Sequence, residues 1–240
     1  MKKENILKQV VLQEYGEKKH SKLTKSQLSL SPELYSEVKS MYKELGGTQE
    51  DPPLTFGPWD ISTPKFIIEL DEENHFNRYR YKTLNSAIYQ EIKGFRLDEY
   101  MCFCKLYESS CRKHGGFWKN NSSEMLFVKS DDNGCLNGTG SSRWRQRAFY
   151  DFLRDITGVI SGIPVIRLSI YQTFKCKKVQ NIIESKDKAM ILDLVRTTVD
   201  EWMLESLMTL HYIEEEYPMT LEEYNQLSYD YEHCAGTHCE

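Results

Sequence analysis

The stretch Gly57-Pro58-Trp59-Asp60-Ile61-Ser62-Thr63-Pro64-Lys65-Phe66-Ile67-Ile68-Glu69-Leu70-Asp71-Glu72-Glu73-Asn74-His75-Phe76 decides how the chain folds. Two extended runs, 55–62 and 65–71, flank Thr63 and Pro64, which predicts a β-hairpin. Alternate residues of a strand share a face, so Phe66, Ile68 and Leu70 point one way and Ile67, Glu69 and Asp71 the other. With Thr63-Pro64 as the loop, Asp60 lies across from Ile67, and a four-residue loop is expected to give the same pairing; directly opposed residues project to one face. Asp60, Glu69 and Asp71 then converge, with His75 just beyond the strand end. Three carboxylates beside a core repel one another unless positive charge sits among them, and oxygen-rich sets of this kind suit Mg²⁺ or Mn²⁺. The plainer reading is an edge hairpin whose solvated face carries alternating acids.

Working outward, Ile6, Leu7, Val10, Val11 and Tyr15 predict a helix within 3–19. Ser31 and Pro32 open a second, with Tyr35, Val38, Met41, Tyr42 and Leu45 as its apolar set, Leu34 outside it, and Gly46-Gly47 as its end. After the hairpin, helical spacing runs from Tyr79 to about His114 through Leu84, Ile88, Ile92, Leu97, Met101 and Leu106. Residues 115–142, rich in Gly, Asn and Ser, read as a loop-rich insertion in which only 125–128 resembles a strand. Then come a helix over 143–156 ending at Gly158, a β-branched strand within 163–174, a long helix over 186–212 and a shorter one over 220–231. The expected class is α/β, a small mixed sheet flanked by helices. The expected divisions are an N-terminal helical extension (1–30), a core (31–174) carrying an insertion at about 79–142, and a C-terminal helical region (175–240).

Composition narrows the function classes. A chain of 240 residues that is 40% hydrophobic buries a sizeable core, which rules out disorder as its default state. No apolar run approaches the ~20 residues needed to cross a bilayer, and the charged start is unlike a signal peptide, so a cytoplasmic protein without membrane contact is expected. The net charge of -5 argues against coating nucleic acid by bulk positive charge but leaves room for a local basic groove. Seven cysteines, an odd number, read as reduced thiols. Cys102, Cys104, Cys111 and His114, and separately His233, Cys234, His238 and Cys239, are of the types that hold structural Zn²⁺. Neither set has paired Cys-x-x-Cys spacing, and buried thiols are the preferred reading of the first. No nucleophile elbow and no Gly-rich phosphate loop is present.

Pro58-Trp59-Asp60 on one strand and Ile67-Ile68-Glu69-Leu70-Asp71 on the next resemble the PD-(D/E)XK nuclease superfamily. Glu69-Leu70-Asp71 followed by His75 is similar to the branch related to very-short-patch repair endonucleases, whose pattern is Glu-x-Asp-Gly-x-x-His. The resemblance spans roughly half the chain and implies a restriction-endonuclease-like core: a helix, a hairpin with the metal ligands, another helix and a further strand. It implies Asp60 as bridging ligand of Mg²⁺ or Mn²⁺, Glu69 and Asp71 at the second acidic positions, and His75 completing the catalytic set. Two positions depart from the pattern: Asp71 stands where the superfamily has its lysine, and Glu72 where the branch has glycine.

Phosphodiester hydrolysis needs an activated water, a charge clamp and a proton for the leaving oxygen. His75 is of a type to orient or deprotonate the water, and Lys65 and Lys82 are the nearest replacements for the missing lysine. Arg78, Arg80, Lys82, Arg143, Arg145 and Arg147, interleaved with aromatics, are candidates for contacting nucleic acid; Arg154 reads better as part of a solvated helix face. The expected function is therefore a metal-dependent endonuclease, DNA favoured over RNA, with a homodimer as the arrangement suited to cutting both strands. Restriction, phage defence or phage DNA processing are the settings the resemblance implies. The alternative is an inactive nuclease-like fold serving as a nucleic-acid or protein binding module.

Overall fold

The structure, a computed structural model, describes residues 2–114 and 117–216, and for 208–216 the backbone alone. Two compact units divide the chain, Met1–Trp202 and Met203–Glu240. The first holds a three-stranded sheet of β1 (Ile61–Ser62), β2 (Ile67–Asp71) and β3 (Val165–Ser169), in that order. β1 and β2 are antiparallel, as a short hairpin requires, and β2 and β3 are parallel, which requires a crossover. The crossover contains α4 (Arg78–Thr83), α5 (Leu97–Leu106), α6 (Glu108–His114), α7 (Asn121–Leu126) and α8 (Ser142–Ser161). A second, two-stranded sheet pairs β4 (Thr173–Phe174) with β5 (Lys177–Lys178).

Every residue of β2 and β3 is buried, because both faces of the sheet are covered. On one side Phe66, Ile68, Leu70, Ile166 and Leu168 pack with α1 (Lys3–Tyr15), α9 (Val179–Ser185) and the first turns of α10 (Lys188–Glu216). On the other, Ile67 and Val165 join a larger core with α3 (Pro32–Glu44), α4, α5 and α8, which includes Trp144, Phe149 and Phe152. The N-terminal helix is therefore no appendage, since its Ile6, Leu7 and Val11 close one face of the sheet. Leu34, expected outside the apolar set of α3, is buried within it.

Three sequence expectations change. The helix expected over 79–114 is three helices and a 3-10 turn, broken where Ser86 caps the turn and where Gly94 takes φ 64°. Gly94 packs so tightly that a Cβ there would lie 2.9 Å from Trp202 Cδ1. Of the strand expected at 125–128, Met125 and Leu126 are the end of α7, which the capping box of Asn120 and Ser123 starts, and Phe127 makes a lone bridge, to Gly47. α8 runs through Gly158 to a left-handed Gly162. Gly158 lets β3 approach closely, because a Cβ there would meet Val165 Cγ2 at 3.1 Å. The helix expected over 220–231 lies outside the described residues.

Candidate functional site

The hairpin register places the acids. Ile61 pairs with Ile68 and Ser62 with Ile67, leaving Thr63–Phe66 as a four-residue loop. Thr63 Oγ1 builds that loop by accepting the Phe66 N–H at 3.0 Å and donating to the Phe66 carbonyl at 2.7 Å. Because this loop lies C-terminal of one centred on Thr63-Pro64, the pairing slides by two residues and Asp60 comes opposite Glu69 rather than Ile67, whether two or four loop residues were expected; an even shift preserves the shared face. Asp60 Oδ2 accepts the Leu70 N–H at 2.9 Å, and the Asp60 N–H donates to Glu69 Oε1 at 3.2 Å.

The acidic face is covered, not solvated: Glu69 and Asp71 are 3% and 1% exposed. Parallel pairing sets Arg167 of β3 beside Glu69, and its guanidinium spreads across the neighbouring acids. Arg167 Nη1 donates to Asp71 Oδ1 and Nε to Asp155 Oδ1, each at 2.8 Å, while Nη2 donates to the Asp151 carbonyl. Arg80, positioned on α4 by the Asn77 cap, donates to Asp155 Oδ2 at 2.8 Å, and the Tyr89 hydroxyl donates to the same oxygen at 2.6 Å. The Tyr100 hydroxyl supplies Asp71 Oδ2 at 2.9 Å. His75, at the end of a 3-10 turn after β2, sets Nδ1 2.8 Å from Asp151 Oδ2 and 3.1 Å from Asp71 Oδ1.

Asp60 and Glu69 are less well compensated. Arg154 Nε lies 3.0 Å from Glu69 Oε2 but lacks the alignment of a hydrogen bond, so it offsets only part of the cost of burial. Burial pushes the Glu69 carboxyl up to about 8, with Arg154 opposing and Asp60 adding to the rise. Burial also raises Asp60, against the pull of the Leu70 N–H and His75. Asp151 goes the other way: burial would raise it, but His75 and Arg167 together hold it well below the usual carboxylate range. Its Oδ1 is buried without a hydrogen-bond donor, 3.6 Å from Arg167 Nη1 and 3.9 Å from Arg154 Nη1.

Two groupings fit a dication unequally. Asp60 and Glu69, opposed across the hairpin, offer oxygen ligands of the type Mg²⁺ or Mn²⁺ takes, with the Arg154 guanidinium in ion-pair contact with Glu69. Asp71, His75 and Asp151 bring one ligand atom each within 4.8 Å of the others. In that trio Asp71 already takes Arg167 and Tyr100, and His75 bridges two acids, so more of its ligand atoms are engaged than in the Asp60–Glu69 pair. Asp71, expected to be a metal ligand, is thus first an anchor for Arg167, Tyr100 and His75.

The cations depart further from expectation. Lys65 is exposed, and Lys82 reaches the Glu44 carbonyl, so neither stands among the acids. Arg154, read as solvated, instead contacts Glu69 and stacks 4.9 Å above the Phe56 ring. Arg80, expected on nucleic acid, is 1% exposed and spent on Asp155, which removes it from any outer surface. Arg78 is engaged by Glu108, Arg143 by Gln146, Arg145 by the Thr139 and Leu45 carbonyls, and Arg147 by the Asn74 carbonyl. Cys104 and Cys111 are buried thiols pushed up to about 12, chiefly by burial, and Cys102 is exposed. The set at 233–239 lies outside the described residues. Arg167, Asp151, Asp155 and Tyr100 are site residues that the sequence does not single out. The available signal was a lone arginine in an apolar strand, and Asp151, Arg154 and Asp155 at helical spacing on one face.

The model of a protein family of unknown function, DUF7255, matches residues 40–185. The chain belongs to the DUF7255 family. The DUF7255 segment contains the five strands found among the described residues and every member of the acid–arginine cluster, from Asp60 to Arg167. Comparison with the curated proteins and with the solved structures finds no match.

Proposed function

We propose that this DUF7255 protein is a metal-dependent phosphodiester hydrolase acting on nucleic acid, DNA before RNA, with Asp60 and Glu69 holding Mg²⁺ or Mn²⁺. The observation that carries the reading is the hairpin register: it sets two acids opposite each other on the helix-covered face, tied backbone to side chain, with one arginine in ion-pair contact with Glu69. The order of hairpin, helix α8 and parallel strand β3 is compatible with a restriction-endonuclease-like core.

When bound, a divalent cation supplies charge against the phosphate and acidifies water. The protein's own groups divide the remaining work. Asp71 and Asp151 hold His75 by Nδ1, which orients its ring to carry a proton on the other nitrogen. Arg154 stands where the missing lysine would be needed, as a positive group beside Glu69. Arg167 fixes Asp71 and Asp155 and thereby the spacing between β3 and α8. Restriction, phage defence or phage DNA processing are settings suited to this activity.

The test is cleavage of plasmid DNA, single-stranded DNA and RNA with Mg²⁺ or Mn²⁺, comparing the natural chain with Asp60→Asn and Glu69→Gln. Metal-dependent cutting lost by about 10²-fold or more in both variants is expected. A second reading, an inactive binding module, is favoured by the internal engagement of Arg78, Arg80 and Arg145 and by the spent state of Asp71. Absence of cutting on every substrate, with no Mn²⁺ uptake by calorimetry, would overturn the hydrolase and leave the module.

A further inference from the structure

A cleft of about 700 Å³ opens where α2 (Lys25–Ser29), the start of α3, the 3-10 turn Ala87–Gln90 and the end of α8 meet, and no member of the acid cluster lines it. Its apolar lining includes Leu34, Ile88 and Ile160, with Leu30 at 88% and Val159 at 40% exposure beside them. Among the described residues its charged lining is of one sign: Glu33, Glu37 and Glu91, with no lysine or arginine. One wall is fixed by its own bonds, because Ser86 Oγ donates to Glu37 Oε1 at 2.5 Å and accepts the Ile88 N–H at 3.4 Å. Large exposed aliphatic side chains beside a preformed concavity mark a recognition surface, and the volume lies in the range of ligand sites.

The charge selects the occupant. A polyanion or an anionic lipid surface would meet three carboxylates, and a second copy of this cleft would set acid against acid across a symmetric contact. We propose that the cleft docks a cationic amphipathic segment of a partner protein, its aliphatic side chains seated on Leu30, Leu34 and Ile88 and its lysines or arginines facing Glu33, Glu37 and Glu91. This surface is separate from the carboxylate pair, so the proposal stands whether or not the chain cleaves nucleic acid.

The experiment titrates the full chain against a fluorescent Leu/Lys peptide of amphipathic helical spacing, with a Leu/Glu peptide of identical spacing as comparator. Leu30→Ser with Val159→Ser, and Glu33→Gln with Glu91→Gln, alter exposed side chains only; circular dichroism checks that both variants fold. Glu50→Gln removes an exposed acid outside the cleft as control. The expected result is saturable binding of Leu/Lys alone, weakened about tenfold or more by each double variant and unchanged by Glu50→Gln. The proposal is overturned if the Leu/Lys peptide does not bind, if the double variants bind it as well as the natural chain, or if Glu50→Gln weakens it equally. Equal binding of the Leu/Glu peptide would also overturn it.

Discussion

The two faces of one strand obey different physics. Ile68 and Leu70 of β2 enter an aliphatic layer with Ile166, Leu168 and Val195, where stability comes from area removed from water. Glu69 and Asp71, one residue away along the same backbone, enter a layer equally shut from water but built of acids and arginines. Burial on the first face is favourable by default. On the second it is costly unless every charge finds a partner, and there the partners are divided unevenly between Asp71 and Glu69.

The largest expected effect tests whether the charged layer is held by mutual pairing. Arg167→Met should lower unfolding free energy by about 3–5 kcal/mol, because Asp71 and Asp155 then remain buried without their shared guanidinium. Urea denaturation measures it, and a loss below about 1 kcal/mol would show that the charged face does not depend on this pairing. On the aliphatic face, Leu70→Ala should cost about 2–4 kcal/mol by transfer and cavity terms. That loss should be the same at pH 5 and pH 8.

The pH dependence of stability separates the faces more sharply. Glu69 in the folded chain titrates near 8 against an ordinary 4.5, so the folded state holds the proton more tightly than the unfolded one. Its contribution is therefore full below about 4.5 and is lost as pH rises through about 8, in buffer with a chelator. Glu69→Gln should remove that loss, raising stability at pH 8.5 by a few kcal/mol (on the order of 2–4) and leaving it unchanged near pH 4. Thermal melts across this range check the sign; a natural chain more stable at pH 8.5 than its variant would contradict it. The smallest effect belongs to the exposed Arg78–Glu108 pair. Arg78→Ala should cost under about 1 kcal/mol, less in high salt, despite the good geometry of the contact.

Legibility followed the range of the interactions. The hairpin, the alternation of Ile67, Glu69 and Asp71, and the helix-then-strand order of α8 and β3 were readable because each depends on neighbours within a few residues. The expected register was off by two residues, since Lys65 and Phe66 look extended but are drawn into a turn by the Thr63 hydroxyl, which moves the loop to Thr63–Phe66. The long helix over 79–114 was misread because periodicity continues across Ser86 and Gly94 while the backbone does not. At the site, Asp60, Glu69, Asp71 and His75 were singled out, yet their roles divide: Asp60 faces Glu69, and Asp71 joins His75 to Asp151.

By itself the sequence determined the period of each element, the face each acid occupies and the placement of His75 after the strand, because backbone geometry sets those locally. Only the tertiary structure decided that the acidic face is buried and which cation each acid receives. Asp71 meets Arg167 from 96 residues away and Asp155 meets Arg80 from 75, and no local period encodes such distances. The pairings exist because α8 and β3 close over the hairpin and exclude water, and each buried carboxylate must then find its charge within reach.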